Sequence, residues 1–193
     1  MNKTAAGAIL WSGGVLGYLL LEAIAATGYR PSYSYVHDYI SDLGVRGTRT
    51  PLMHAAFYLQ GSMFLAGAAL IAGVRGTRAR LFVALVAANA VGNFVVGTAH
   101  TGKVHVAGAA LALVGGNAAI LAGAAVVGPI RRWYRSVSNI IAAVGFLCLS
   151  LLVTGIVMPT GVAERGSAYS IFLWQLLTAW LLWRRGRSTV TSR

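Results

Sequence analysis

Acidic residues are scarce. The 193-residue chain has four Asp and Glu against sixteen Lys and Arg, and charged residues of both signs make up only 10% of it. A soluble domain carries about 25% charged residues, so this composition argues against a water-soluble globule. Cysteine occurs once, as Cys148 inside an apolar block, which excludes an intrachain disulfide and a cysteine metal cluster. No Gly-rich phosphate loop, dinucleotide motif or His-Glu-x-x-His sequence is present. What the chain has is apolar surface: 57% of its residues are hydrophobic and its mean hydropathy is +0.69. Disorder, a coiled coil and a collagen-like fibre are excluded with the soluble globule.

A membrane-crossing helix needs ~20 apolar residues. Six stretches qualify: residues 5–26, 53–74, 81–99, 106–127, 137–158 and 168–183. The expected fold is therefore all-α, a polytopic membrane protein forming one domain of six transmembrane helices over residues 1–193. The basic residues fall in alternate segments between the stretches. Lys3, Arg75, Arg78, Arg80, Arg131, Arg132, Arg135, Arg184, Arg185, Arg187 and Arg193 are on one side; Arg30, Arg46, Arg49, Lys103 and Arg165 are on the other. The richer side is expected to be cytoplasmic, which places both termini inside. The net charge of +12 is then a topological signal and an attraction to anionic headgroups rather than a nucleic-acid surface. Arginine outnumbers lysine fourteen to two, a bias of GC-rich bacterial genomes, and the expected location is a bacterial cytoplasmic (inner) membrane. Ala23-Ile24-Ala25 has the small residues of a signal-peptide cleavage site. The apolar stretch before it exceeds the ~7–15 residues of a signal core, so a retained helix is expected.

With this orientation all four acids (Glu22, Asp38, Asp42 and Glu164) and all four histidines (His37, His54, His100 and His105) belong to the outer side. The inner side has charges for topology but nothing suited to titration near neutral pH. The longest outer segment, 27–51, is too aromatic for an ordinary solvated loop, with Tyr29, Tyr33, Tyr35 and Tyr39. It is expected to be re-entrant or interfacial. A short helix over 36–43 would put Asp38 and Asp42 on one face, where two carboxylates in a partly dry site could split their protonation. Asp42 could instead pair with Arg46 or Arg165. Glu164-Arg165 could clamp the Ile40–Gly44 stretch, or Arg165 could hold a lipid phosphate. Glu22 needs a polar partner or access to the mouth of the helices. Deeper polar residues (Gln60, Asn89, Asn93, Asn117 and Gln175) are expected to make interhelical hydrogen bonds, worth roughly 0.6 kcal/mol each. With no acid or histidine near the midplane, a pump or secondary transporter is disfavoured.

The order Tyr39-Ile40-Ser41-Asp42-Leu43-Gly44 after the first stretch, His105 opening the fourth, and Gly161-Val162-Ala163-Glu164-Arg165 ahead of the last resembles a bacterial and archaeal membrane family catalogued as domain-of-unknown-function family 998. More distantly the chain is similar to a eukaryotic six-span family tied to lipid and GPI-anchor handling. The resemblance implies the six-span architecture and carries no activity.

The function expected on these grounds is an outward-facing polar site that binds, and could hydrolyse or transfer, a lipid or isoprenoid headgroup. Asp38, Asp42, His105 and Glu164 are the acid–base candidates, with Arg165, His37, His54, His100, Arg30 and Tyr39 as headgroup contacts. No cofactor is required, although histidines and carboxylates converging from several outer segments could hold a divalent cation. The small-residue stripes Gly13/Gly17 and Gly108/Ala112/Gly116 are expected to pack helices closely within the one bundle, with a dimer seam as the alternative; the expected partners are a membrane lipid and a membrane protein or second copy, with no nucleic acid. The alternative is a non-catalytic accessory subunit of a larger membrane complex. Sensing of pH through the four histidines is a third reading.

Overall fold

The computed structural model describes residues 2–73, 75–127 and 132–188; Arg131 and Arg193, counted above among the basic residues, lie outside the described residues, as does the side chain of Arg187. Six α-helices follow one another: α1 Lys3–Ala26, α2 Thr50–Ala72, α3 Thr77–Thr98, α4 Gly102–Val126, α5 Tyr134–Thr154 and α6 Thr160–Ser188. A short 3-10 helix, Ser41–Gly44, interrupts the long α1–α2 connection. Helices α1 to α5 are each long and apolar enough to cross a membrane. Their outward surface agrees with that: Val153 is 79% exposed, Leu20 62%, Ile140 62% and Leu147 59%, an apolar coat that water would not tolerate.

Local sequence explains the helix ends. The Asn2 side chain accepts the Ala5 amide at 2.7 Å and caps α1. Pro51 occupies the first turn of α2, where its missing N–H costs nothing. Helix α5 stops at Thr154, four residues short of the apolar stretch, because Gly155 takes a left-handed conformation (φ +65°). Helix α6 starts at Thr160, directly after Pro159, eight residues earlier than its apolar stretch. Glu164 and Arg165 are therefore helical residues and not part of a loop ahead of the helix.

Sequential helices pack on one another, and α6 also closes on α1 and α4. At the centre Trp11 stacks at a tilt on Trp174 (ring centroids 5.3 Å apart) and meets the edges of Phe64 and Phe82. The buried amides and hydroxyls cross-link the helices. Gln60 donates to Gln175 between α2 and α6 (2.6 Å), Asn89 to the Ala112 carbonyl between α3 and α4 (2.7 Å), and Asn117 to Ser167 Oγ between α4 and α6 (3.0 Å). Tyr134 shares a hydrogen bond with Thr178 (2.8 Å), and Trp174 donates to Ser138 (3.1 Å), tying α5 to α6. The stripe on α4 is used inside the chain: a Cβ on Gly92 of α3 would lie 2.3 Å from the Ala112 nitrogen and 2.5 Å from the Gly108 oxygen. Helices α3 and α4 thus touch backbone to backbone, while α4 meets α5 over a smaller area and leaves a cleft.

Candidate functional site

The ends of α1, α3 and α5 and the starts of α2, α4 and α6 lie together, and all four acids and all four histidines belong to this end. The 27–51 segment folds over it. The segment has a turn at 35–38 and then the 3-10 helix, so the expected continuous helix over 36–43 does not form. Side chains of Asp38 and Asp42 instead hold backbone: Asp38 Oδ2 accepts the Ser34 amide (2.7 Å) and Asp42 Oδ2 the Tyr39 amide (3.2 Å). Short polar side chains that offer such bonds compete with helix formation, which accounts for the difference. Ile40 and Leu43 are buried beneath the segment at 2% and 1% exposure.

Two consecutive residues of α6 hold this cover down. Glu164 Oε2 accepts the Ile40 amide at 2.5 Å. Arg165 Nη1 donates to the carbonyls of Tyr35 (3.0 Å), Asp38 (3.2 Å) and Gly161 (3.2 Å), and Nη2 to Glu22 Oε1 (2.9 Å) and the Tyr33 hydroxyl. The guanidinium also lies against the rings of Tyr33 and Tyr35, with its carbon 5.3 and 4.8 Å from their centroids. Glu22 Oε2 accepts from Tyr169 at 2.7 Å, so both oxygens of this buried carboxylate are satisfied. Burial pushes the Tyr33 phenol above its ordinary range, opposed in part by the hydrogen bond and charge of Arg165; Tyr35 is raised too, by burial and by the Glu22 charge. Both phenols stay neutral at physiological pH, and that of Tyr33 donates to the Tyr39 carbonyl (3.0 Å). Thr160 adds a hydrogen bond to the His37 carbonyl (2.5 Å).

Arg165 is therefore the rivet of the cover, with both of its Nη atoms bonded to protein groups. The expected pairing of Asp42 with Arg46 or Arg165 does not form. Among the described residues the ion pair is Arg165–Glu22. A planar fork with five donors suits convergent carbonyls better than a lysine would.

Beside the cover, between α4 and α5, lies a groove of about 490 Å³, within the range of small-molecule sites. Val106, Ala110 and Leu113 of α4 and Leu149, Leu152 and Val153 of α5 form its apolar walls. Tyr39, Ser41, Asp42, Arg46, His100, Thr101 and His105 form a polar rim, and Glu164 lies at its inner side. Glu164 also borders a second, inner chamber of about 50 Å³ that holds Gln60, Asn89 and Asn93. His105 Nδ1 is 2.7 Å from the Ala99 carbonyl. A carbonyl only accepts, so Nδ1 carries the proton and Nε2 remains as the acceptor of the neutral ring. His54 Nε2 likewise donates to the Gly44 carbonyl (2.7 Å), and its ring stacks on His100, centroids 4.2 Å apart and 8° from parallel.

The groove thus brings together five of the residues singled out from the sequence, Asp42, His105, Glu164, His100 and Tyr39, and adds Arg46, Ser41 and Thr101. His54 stands behind His100. Asp38, His37, Arg30 and Arg165 are not among its lining residues. Arg30 is exposed and donates to the Tyr29 carbonyl (3.2 Å), and the exposed His37 contributes backbone to the cover. Among the described residues no three His, Cys, Asp or Glu form a group that could hold a metal ion. Tyr33, Tyr35 and Tyr169, the partners of the buried ion pair, were missed as such. The signal for them was the unexplained Glu22 in an apolar helix, which had to find a cation and donors.

Five long apolar helices and a polar site at one end of them point to a multi-pass helical membrane protein. The chain belongs to the family described as "Protein of unknown function (DUF998)", whose family model matches residues 12–181. No curated protein and no solved structure matches it.

Proposed function

We propose that the protein binds an amphiphilic membrane lipid at the outer face of a bacterial cytoplasmic membrane, with the chain in the α4–α5 groove and the headgroup at its polar rim. The observation that carries this is the shape and lining of the groove. Its apolar walls open sideways at Val106 (65% exposed) and Val153 (79% exposed), where lipid would be, and its charged groups gather at one end. In this reading α6 is the sixth span. The basic residues Arg75, Arg78, Arg80, Arg132, Arg135, Arg184 and Arg185 belong to the opposite end of the helices, which this reading makes the cytoplasmic one. Asp42, Glu164 and the free nitrogen of His105 supply acid–base groups for hydrolysis or transfer at the headgroup, should the bound lipid react.

The single cysteine makes a direct test convenient. In a Cys148→Ala background, a cysteine replacing Thr101 is expected to react with a membrane-impermeant maleimide in intact cells, and one replacing Arg78 only after permeabilisation. A cysteine replacing Ala110, inside the groove, is expected to react with a permeant maleimide more slowly as lipid is added back to detergent-purified protein. Reversed labelling of the first two would overturn the orientation, and an Ala110 position indifferent to lipid would overturn the groove.

A further inference from the structure

The ionic groups of the groove carry both signs. Asp42 and Glu164 carry carboxyl groups, Arg46 is a guanidinium four residues from Asp42, and the imidazoles of His100 and His105 line the same groove. Each carboxylate uses one oxygen on the cover, Asp42 Oδ2 on the Tyr39 amide and Glu164 Oε2 on the Ile40 amide. Among the described residues, Asp42 Oδ1, Glu164 Oε1 and the Arg46 guanidinium make no hydrogen bond. Glu164 is only 9% exposed, and its open oxygen belongs to a residue lining the groove. A buried carboxylate without a full set of donors is costly, and a ligand that supplies N–H donors and positive charge relieves that cost.

Building on the lipid reading above, we infer that the headgroup taken by this groove is zwitterionic, a phosphate joined to a primary ammonium, as in an aminophospholipid. The ammonium offers three N–H donors, which match the open oxygens of Asp42 and Glu164. The phosphate meets Arg46 at the exposed rim, with the imidazoles of His100 and His105 beside it. A headgroup with negative charge alone would set its phosphate against two carboxylates with no compensating cation of its own. A trimethylated ammonium lacks the N–H donors and leaves both oxygens unsatisfied.

The test uses full-length protein in a non-ionic detergent and the dioctanoyl forms of phosphatidylethanolamine, phosphatidylcholine and phosphatidylglycerol, with binding read by native mass spectrometry. The ethanolamine lipid is expected to bind about tenfold more tightly than the other two, the size of one charge-assisted hydrogen-bonded contact. Asp42→Asn and Glu164→Gln are each expected to bring the ratio of ethanolamine to glycerol lipid toward one, and Arg46→Ala to weaken both. Asp42 is the more exposed of the two carboxylates, so its variant carries the result should Glu164→Gln loosen the cover. Phosphatidylglycerol or phosphatidylcholine binding as tightly as phosphatidylethanolamine, with all three weakened by Ala110→Trp, would overturn the amine assignment and leave the groove standing. Lipid binding unaffected by Ala110→Trp would overturn the groove itself.

Discussion

Arg165→Met is expected to destabilise the folded protein by about 3–5 kcal/mol, because it leaves the Glu22 carboxylate buried without its cation. Glu22 is 1% exposed, and Arg165 supplies its closest charged contact at 2.9 Å. The same change removes every donor that Nη1 and Nη2 present to Tyr33, Tyr35, Asp38 and Gly161. Loss of stability should therefore be accompanied by release of the 27–44 cover, seen as faster proteolysis or hydrogen exchange in that segment. Unfolding monitored by heat or by denaturing detergent measures the first effect. The double change Glu22→Gln with Arg165→Met removes both charges and is expected to recover part of the loss, giving a clear coupling energy between the two sites. A single Arg165→Met as stable as wild type would mean that the pair does not hold the cover.

The second large effect concerns the backbone contact between α3 and α4. Gly92→Ala places a methyl group 2.3 Å from a backbone nitrogen and 2.5 Å from a backbone oxygen, neither of which can rotate away. The helices must separate, at an expected cost of about 1–3 kcal/mol. The hydrogen bond from Asn89 to the Ala112 carbonyl, one turn along the same seam, stretches with them. Gly13 offers the comparison: a Cβ there meets no heavy atom within 4 Å, and Gly13→Ala is expected to change stability by no more than about 0.5 kcal/mol. Thermal unfolding of the two variants side by side in one detergent checks the difference.

Hydropathy located the helices to within a few residues because long apolar runs without Pro have no alternative to helix in a membrane. The exceptions have local causes. Gly155 ends α5 early by taking positive φ, and α6 begins eight residues before its apolar run. The charges of Glu164 and Arg165 lower the hydropathy of its first turns without weakening the helix. The pairing of Glu22 with Arg165, 143 residues apart, was legible only as a need on the Glu22 side. The role of Tyr33 and Tyr35 depends on the fold of the cover and has no sequence signature. The groove is the least legible feature. It lies where α4, packed backbone to backbone on α3 at Gly92, Gly108 and Ala112, meets α5 less closely, an arrangement of three helices rather than of one stretch of sequence. Asp42, His105 and Glu164 could be named as candidates from their polarity alone, whereas Arg46 could be recognised only once the groove was seen.

Native mass spectrometry of the protein released gently from its own membrane tests the central claim most directly. The groove account predicts a defined lipid adduct that stays with wild-type protein and is lost with Ala110→Trp, a change that fills the groove from an exposed position without touching the buried ion pair. Wild-type protein appearing bare, or bound only to another polypeptide, would contradict it.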